Sequence, residues 1–171
     1  MPMEALAYSG CDAQSRVQMT LAPGAEMIGW DVLALGLPAA RQPFEHGSFR
    51  QHLELPGCWL ERGHLSAADT TLLDSAAGLG RHRVLGTAWF AAGQGMPATL
   101  RETLLAAARE LVQGDRLAAT AGATSPQTAV VVLRVLGHGV EPVMGLLKRV
   151  RAAWRQAAWN LAAEPPRIWR T

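Results

Sequence analysis

The 171-residue sequence predicts a β-rich α+β fold, and three observations carry that prediction. Period-two alternation and apolar runs bounded by Pro-Gly pairs fill the first half, as strands and hairpins require. Apolar residues at helical spacing appear at two places, both in the second half. The resulting order of strands, helix, strand and helix differs from the regular strand-helix alternation of a βαβ series. The length is that of one ordinary domain and can bury a core without disulfide or metal staples, so residues 1–171 are read as a single domain.

The first strand signal is Val17, Met19 and Leu21 alternating with Arg16, Gln18 and Thr20, ended by Pro23-Gly24. The run from Glu26 to Leu35 is almost continuously apolar, as in a strand covered on both faces, and Gly36 with Pro38 ends it. Together these predict a first hairpin. Phe49, Gln51, Leu53 and Leu55 alternate with polar neighbours, Pro56-Gly57 makes a tight turn, and residues 58–65 return as a second hairpin. A short apolar strand is predicted over residues 84–91. Leu100, Leu104 and Leu111 then recur near helical spacing across residues 97–112, with Pro97 suited to the first turn and Gly114 to the end. Residues 129–136 read as a buried, Val-rich strand, and residues 141–159 as a second helix with Val143, Leu147, Val150, Trp154 and Ala157 on its apolar face. The Ala-, Gly- and Thr-rich stretch 113–127 is predicted to be a mobile loop.

Composition excludes several classes of function. Sixteen basic residues are nearly balanced by 14 acidic ones, which is not the basic excess of a nucleic-acid binder. With 49% hydrophobic and 18% charged residues, the chain reads as soluble and rather apolar on its surface, as suits a protein that works in a complex. Cys11 and Cys58 lie far apart with no CxxC pairing, so neither a zinc site nor a disulfide framework is signalled. No basic stretch followed by an apolar one opens the chain, and no run approaches the roughly 20 apolar residues of a membrane span. A cytoplasmic location, with no membrane partner, is expected.

The chemistry-bearing residues are sparse. None of the five histidines falls at HxxxH or HxH spacing, although His52 and His64 are placed to face each other across the second hairpin, where imidazole would suit a transient nickel contact. Asp31 sits inside an apolar strand, and Glu61 and Asp69 flank the second hairpin. Two buried carboxylates of this kind could serve a hydrolase as general acid and base if they converge. Alternatively Asp31 has a structural partner such as Arg50 or Arg62, because a strand carboxylate is costly to bury unpaired. No GxSxG elbow, GxxxxGK[ST] loop or helix-opening GxGxxG occurs. Lys148, Arg151 and Arg155, at i, i+3 and i+7, form a basic stripe on the last helix. It is either a solvated face or a docking surface for an acidic partner.

The block from Leu21 to Gly36, containing Gly29-Trp30-Asp31, is followed by Phe44, Gly47 and Phe49-Arg50-Gln51. With Leu60-Glu61-Arg62, the strand of residues 130–136 bearing Arg134, and Pro166-Arg167-Ile168-Trp169, these segments resemble the urease accessory protein family UreD, also called UreH. The matches run in order over essentially the whole chain.

The resemblance implies a non-enzymatic maturation factor that binds the urease apoenzyme, recruits UreF and through it the GTPase UreG, and offers an internal passage for nickel. It implies strands close to a β-helix with two helices, no tightly bound cofactor, and nickel in transit only. Carried onto this chain, Asp31 and Glu61 are the acids expected to line the passage, with His52 and His64 as further nickel contacts. Arg134, Lys148, Arg151 and Arg155 are expected on the partner-facing side. Members of that family are usually longer, so the chain is expected to correspond to their C-terminal portion, without their N-terminal strands. Leu37 stands where many relatives have Arg, and Gln42 where many have Glu. The remaining alternative is a β-rich binding module unrelated to urease.

Overall fold

A computed structural model describes residues 3–162 and 164–166. Among these residues, eight strands form two sheets. Strands β1 (Ala5–Ala7), β3 (Glu26–Leu35), β6 (Val84–Ala92), β7 (Ala121–Gln127) and β8 (Val130–Gly137) make a five-stranded sheet in the order β1-β3-β6-β8-β7. Strands β2 (Asp12–Gln18), β4 (Ser48–Leu55) and β5 (Trp59–Ser66) make a three-stranded sheet in the order β2-β4-β5. Helix α1 (Thr70–Asp74) is one short turn, capped by the Asp69 carboxylate accepting from Leu72 N–H. Helices α2 (Ala98–Gln113) and α3 (Val140–Trp159) cover one face of the large sheet, and the small sheet covers the other. The architecture is therefore three-layered, α+β and β-rich.

The expected second hairpin forms, with Leu55 opposite Trp59 and Phe49 opposite Leu65, a register that does not set His52 against His64. The expected first hairpin does not. Strand β2 pairs in parallel with β4, while β3 lies between β1 and β6 in the other sheet. Pro23-Gly24 does make a turn, closed by Ala25 N–H donating to Ala22 O, but it passes the chain from one sheet to the other. Burial explains the separation. Strand β2 alternates between exposed and half-covered residues, as an edge does, whereas β3 is buried from Gly29 to Leu35 and needs covered neighbours on both faces. From β1 to β4 the chain alternates between sheets, stacking β3 beside β1 and β4 beside β2 in parallel, which gives this part its β-helix-like winding.

Two further expectations are corrected. The predicted loop 113–127 ends in strand β7, whose Ala-Gly-Ala-Thr sequence lacks the β-branched signature but pairs along β8. Thr120 Oγ1 donates to Leu136 O, and Arg109 Nε donates to Ala123 O, tying the strand's start and middle to β8 and α2. Ala157 is exposed and leaves the apolar face of α3, which consists of Val143, Met144, Leu146, Leu147, Val150 and Trp154. Helix α3 ends at Asn160 in the left-handed conformation (φ 50°), where its N–H reaches Gln156 O. Pro97 precedes the first residue of α2, and Gly114 follows its last, as the sequence indicates.

The helix-facing core is continuous, running from Trp30, Val32 and Ala34 through Phe90, Val131 and Leu133 to Leu104, Leu147 and Trp154. Trp154 is fully buried, its Nε1–H donating to Leu104 O at 2.9 Å, and its ring meets Phe90 edge-on. Between the sheets the core is divided into two clusters. One gathers Leu33, Leu35, Phe49, Leu65, Leu73 and Leu79; the other gathers Leu53, Leu55, Trp59, Trp89, Val130 and Val132.

Candidate functional site: a polar row between the sheets

What divides the two clusters is a row of polar and small residues running across the strands. In the large sheet Asp31 lies opposite Thr87, Thr87 opposite Arg134, and Arg134 opposite Gly122. In the small sheet Ser15 lies opposite Gln51 and Gln51 opposite Gly63. Directly paired residues point to the same face of a sheet, so each register row is one line of side chains. The two lines meet where Gln51 Nε2–H donates to Asp31 Oδ2 at 2.5 Å. Glu61, two residues along the strand from Gly63 and on the same face, reaches across to Arg134, whose Nε and Nη2 both donate to Oε2 at 2.9 and 2.5 Å.

Among the described residues, Asp31 and Thr87 are the buried polar side chains, at 8% and 6% exposure, and they are register neighbours. Burial pushes the Asp31 carboxyl above its ordinary value of 3.8; the Gln51 hydrogen bond opposes this, and the charge of Glu61 adds to it. From Asp31 the row leads outward to a cleft of about 460 Å³ in which Gln51, Glu61, Thr87 and Arg134 stand among apolar residues such as Leu85 and Leu136. The cleft is lined from β4 and β5 of the small sheet and from β6, β7 and β8 of the large one, and it opens to solvent beside Arg134. Arg134 stands at that mouth with its side chain 47% exposed, while Glu61 is 22% exposed.

Two indoles border the row. Trp89 is two residues beyond Thr87 and Trp59 two before Glu61, with ring centroids 5.8 Å apart. Both Nε1–H groups are buried without a hydrogen-bond partner among the described residues. Gly29 is required here, because a Cβ on it would lie 2.3 Å from the Trp89 ring.

The other predicted site residues lie elsewhere. His52 and His64 are not opposite each other: His52 pairs with Arg62 and His64 with Arg50. By strand alternation both occupy the outer face of the small sheet, away from Asp31 and Glu61. There His52 Nε2 meets Glu54 Oε2 at 2.8 Å, and its Nδ1 accepts from Arg62 Nε. The four predicted nickel contacts are thus two inner and two outer, and no group of three or more His, Cys, Asp or Glu able to hold a metal ion occurs among the described residues. Arg50 and Arg62 share that outer face, so neither is the Asp31 partner; Arg50 pairs with Asp12 at 3.0 Å.

Arg134 faces the small sheet, on the side of the large sheet opposite the helices, so it does not share a surface with Lys148, Arg151 and Arg155 on α3. Arg155 Nε donates to Ala162 O, and its guanidinium lies 5.8 Å from the Trp159 ring centroid. Burial lowers the Arg151 guanidinium, and the neighbouring Arg155 charge adds to this. The segment Arg167-Ile168-Trp169 lies outside the described residues.

Sequence reasoning missed Thr87, Gln51 and the two indoles. The alternation of residues 49–55 already placed Gln51 in phase with Phe49, Leu53 and Leu55, and Thr87 interrupts an otherwise apolar strand. Both were signals of an inward polar group. What alternation could not supply is the register that aligns them with Asp31 and Arg134.

Comparison with known proteins agrees with the resemblance. The family model for UreD, urease accessory protein, matches residues 1–170. Proteins named urease accessory protein UreD are 53% identical in Polaromonas sp. over 169 residues and 53% identical in Leptothrix cholodnii over 171. These alignments cover 99% and 100% of this chain but 61% and 62% of those relatives, so the chain spans about three fifths of their length. A more distant relative of the same name, from Methylibium petroleiphilum, is 44% identical over 184 residues. With the family model spanning nearly every residue and half of all positions shared with these relatives, the chain belongs to the UreD urease accessory protein family.

Proposed function

We propose that this chain serves urease maturation as a non-enzymatic, cytoplasmic scaffold that engages the urease apoenzyme and the accessory proteins UreF and UreG, and that its polar row is a passage along which nickel reaches the urease site. Nickel is cargo in this reading, and no tightly bound cofactor is involved. The observation that carries the reading is the row itself: polar residues cross an apolar sandwich from a solvent-open cleft to the buried carboxylate of Asp31.

A buried carboxylate has a cost unless something compensates for its charge. A transiting divalent cation supplies that compensation, and hard oxygen donors such as Asp31, Gln51, Thr87 and Glu61 suit weak, multi-step contact with it. Weak contact fits cargo that must leave as readily as it enters, and the absence of three clustered ligands among the described residues is compatible with it. A hydrolase would need one carboxylate free to act as base. Gln51 engages Asp31, and Arg134 grips Glu61 through two N–H groups, which favours the scaffold.

No helix among the described residues is long and apolar enough to cross a membrane. The test is Asp31→Ala. Co-purification with UreF and urease subunits should persist, while the nickel content and activity of the urease produced should fall. Unchanged activation by this variant would remove Asp31 from the passage, and failure of the unaltered chain to capture either partner would remove the scaffold.

A further inference from the structure

Resting on that reading of the row, we infer that Arg134 is a resident cation at the mouth of the passage, holding Glu61 until a divalent ion displaces it, so that the mouth admits divalent cations in preference to monovalent ones. Three features support this. First, the Arg134 guanidinium donates twice to one oxygen of Glu61, at 2.9 and 2.5 Å, in the cleft that leads to Asp31. Such charge-assisted pairs are about twice as strong as neutral hydrogen bonds. Second, a guanidinium and a monovalent metal ion carry the same charge, so exchanging one for the other gains no Coulomb energy and loses two directed hydrogen bonds. A divalent ion doubles the attraction to Glu61 and is the occupant that can win the exchange. Third, Arg134 has somewhere to go. Its register neighbour on β7 is Gly122, where even an added Cβ would meet nothing within 4 Å, and the Arg134 side chain is already half exposed.

The arrangement also accounts for an Arg lining what would otherwise be a cation path. A fixed positive charge there would repel every ion, whereas one on a long, swinging stem holds the carboxylate ready, already desolvated and oriented. Leaving Glu61 unpaired at 22% exposure would carry the penalty of an uncompensated, partly buried charge.

The test titrates the whole chain with Ni²⁺ alone, by calorimetry, in a buffer containing K⁺, using the unaltered chain and Arg134→Gln, Arg134→Lys, Glu61→Gln, Asp31→Asn and the Arg134→Gln/Glu61→Gln pair. Removing a like charge at the mouth should tighten Ni²⁺ binding by roughly tenfold in Arg134→Gln. Replacing K⁺ by choline at equal ionic strength should tighten that variant further while leaving the unaltered chain unmoved. Arg134→Lys keeps the charge and should stay within about threefold of the unaltered chain, and the gain should vanish in the double variant. Thermal unfolding of each variant separates these effects from loss of fold. If Arg134→Gln binds Ni²⁺ no more tightly than the unaltered chain, while Glu61→Gln and Asp31→Asn weaken binding, the displaceable cation is wrong and the passage stands. If no variant and no unaltered chain binds Ni²⁺ at all, both fail together.

Discussion

The two faces of the five-stranded sheet obey different rules. Toward the helices the buried positions of β3, β6 and β8 are apolar, the core is unbroken, and the buried Trp154 indole N–H has a partner. Toward the small sheet the apolar surface is cut by Asp31, Thr87 and Arg134, and the indoles of Trp59 and Trp89 have no partner among the described residues. The same strands build both faces from alternate residues, so the difference is one of phase along each strand rather than of region in the sequence. It teaches that stability and candidate function are divided between the two sides of a single sheet: the helix side supplies a well-satisfied core, and the sandwich side accepts the cost of buried polar groups.

The largest expected effect breaks the helix side. Trp154→Ala removes a fully buried indole that packs edge-on against Phe90 and bonds Leu104 O, and should destabilise the chain by about 3–5 kcal/mol. Equilibrium urea unfolding measures it through the midpoint at constant slope. A loss below about 1 kcal/mol would mean that α3 is not packed as described.

Placing one substitution on both faces sharpens the comparison. Trp154→Phe leaves the Leu104 carbonyl without its buried donor as well as shrinking the ring, and should cost about 1–3 kcal/mol. Trp89→Phe also loses ring area, but it removes an N–H that is buried without a partner, and the two effects should leave stability within about 1 kcal/mol of the unaltered chain. Equal losses at the two positions, read from the same unfolding curves, would refute the claim that the faces differ in polar satisfaction.

Most of the fold was legible because its signals are local. The apolar run of β3, the alternation and Pro-Gly turn of β4 and β5, and the helical spacing in α2 and α3 each depend on neighbours within a few residues. Pairing between strands depends on contacts distant in sequence, which is why local signals predict β2 beside β3 where the fold pairs it with β4, and why β7, with its small residues, reads as loop. The candidate site is legible to the same extent. Asp31 stands out as a carboxylate in an apolar strand and Glu61 as an acid of the second hairpin, and both face the space between the sheets, where Gln51 and Arg134 hold them. His52 and His64 were misjudged because spacing around a turn gives only an approximate register, and a shift of one pair moves a side chain from opposite to diagonal. Arg134 is grouped with the α3 cations by the family resemblance alone, because its phase on β8 relative to the helices is not stated by the sequence.

The smallest expected effect lies within the row and has the opposite sign. Asp31 titrates above its ordinary value in the folded chain, so its ionised form is disfavoured by folding. The unfolded chain therefore releases the proton first as pH rises. Stability is full below 3.8, declines as pH climbs through the raised folded value, and is level above it. Asp31→Asn keeps an oxygen to accept from Gln51 but carries no charge, so it escapes that decline. At neutral pH the variant should be more stable than the unaltered chain, with a higher urea midpoint, and the gain should shrink toward zero as pH falls below 3.8. Urea midpoints for both chains across that pH range check it. A gain that is independent of pH would trace to shape rather than charge, and a loss at neutral pH would mean that the folded chain favours the carboxylate. Read beside the nickel content of the urease produced, the same variant states the comparison in one molecule: the sandwich face grows more stable by giving up the charge that the proposed passage uses.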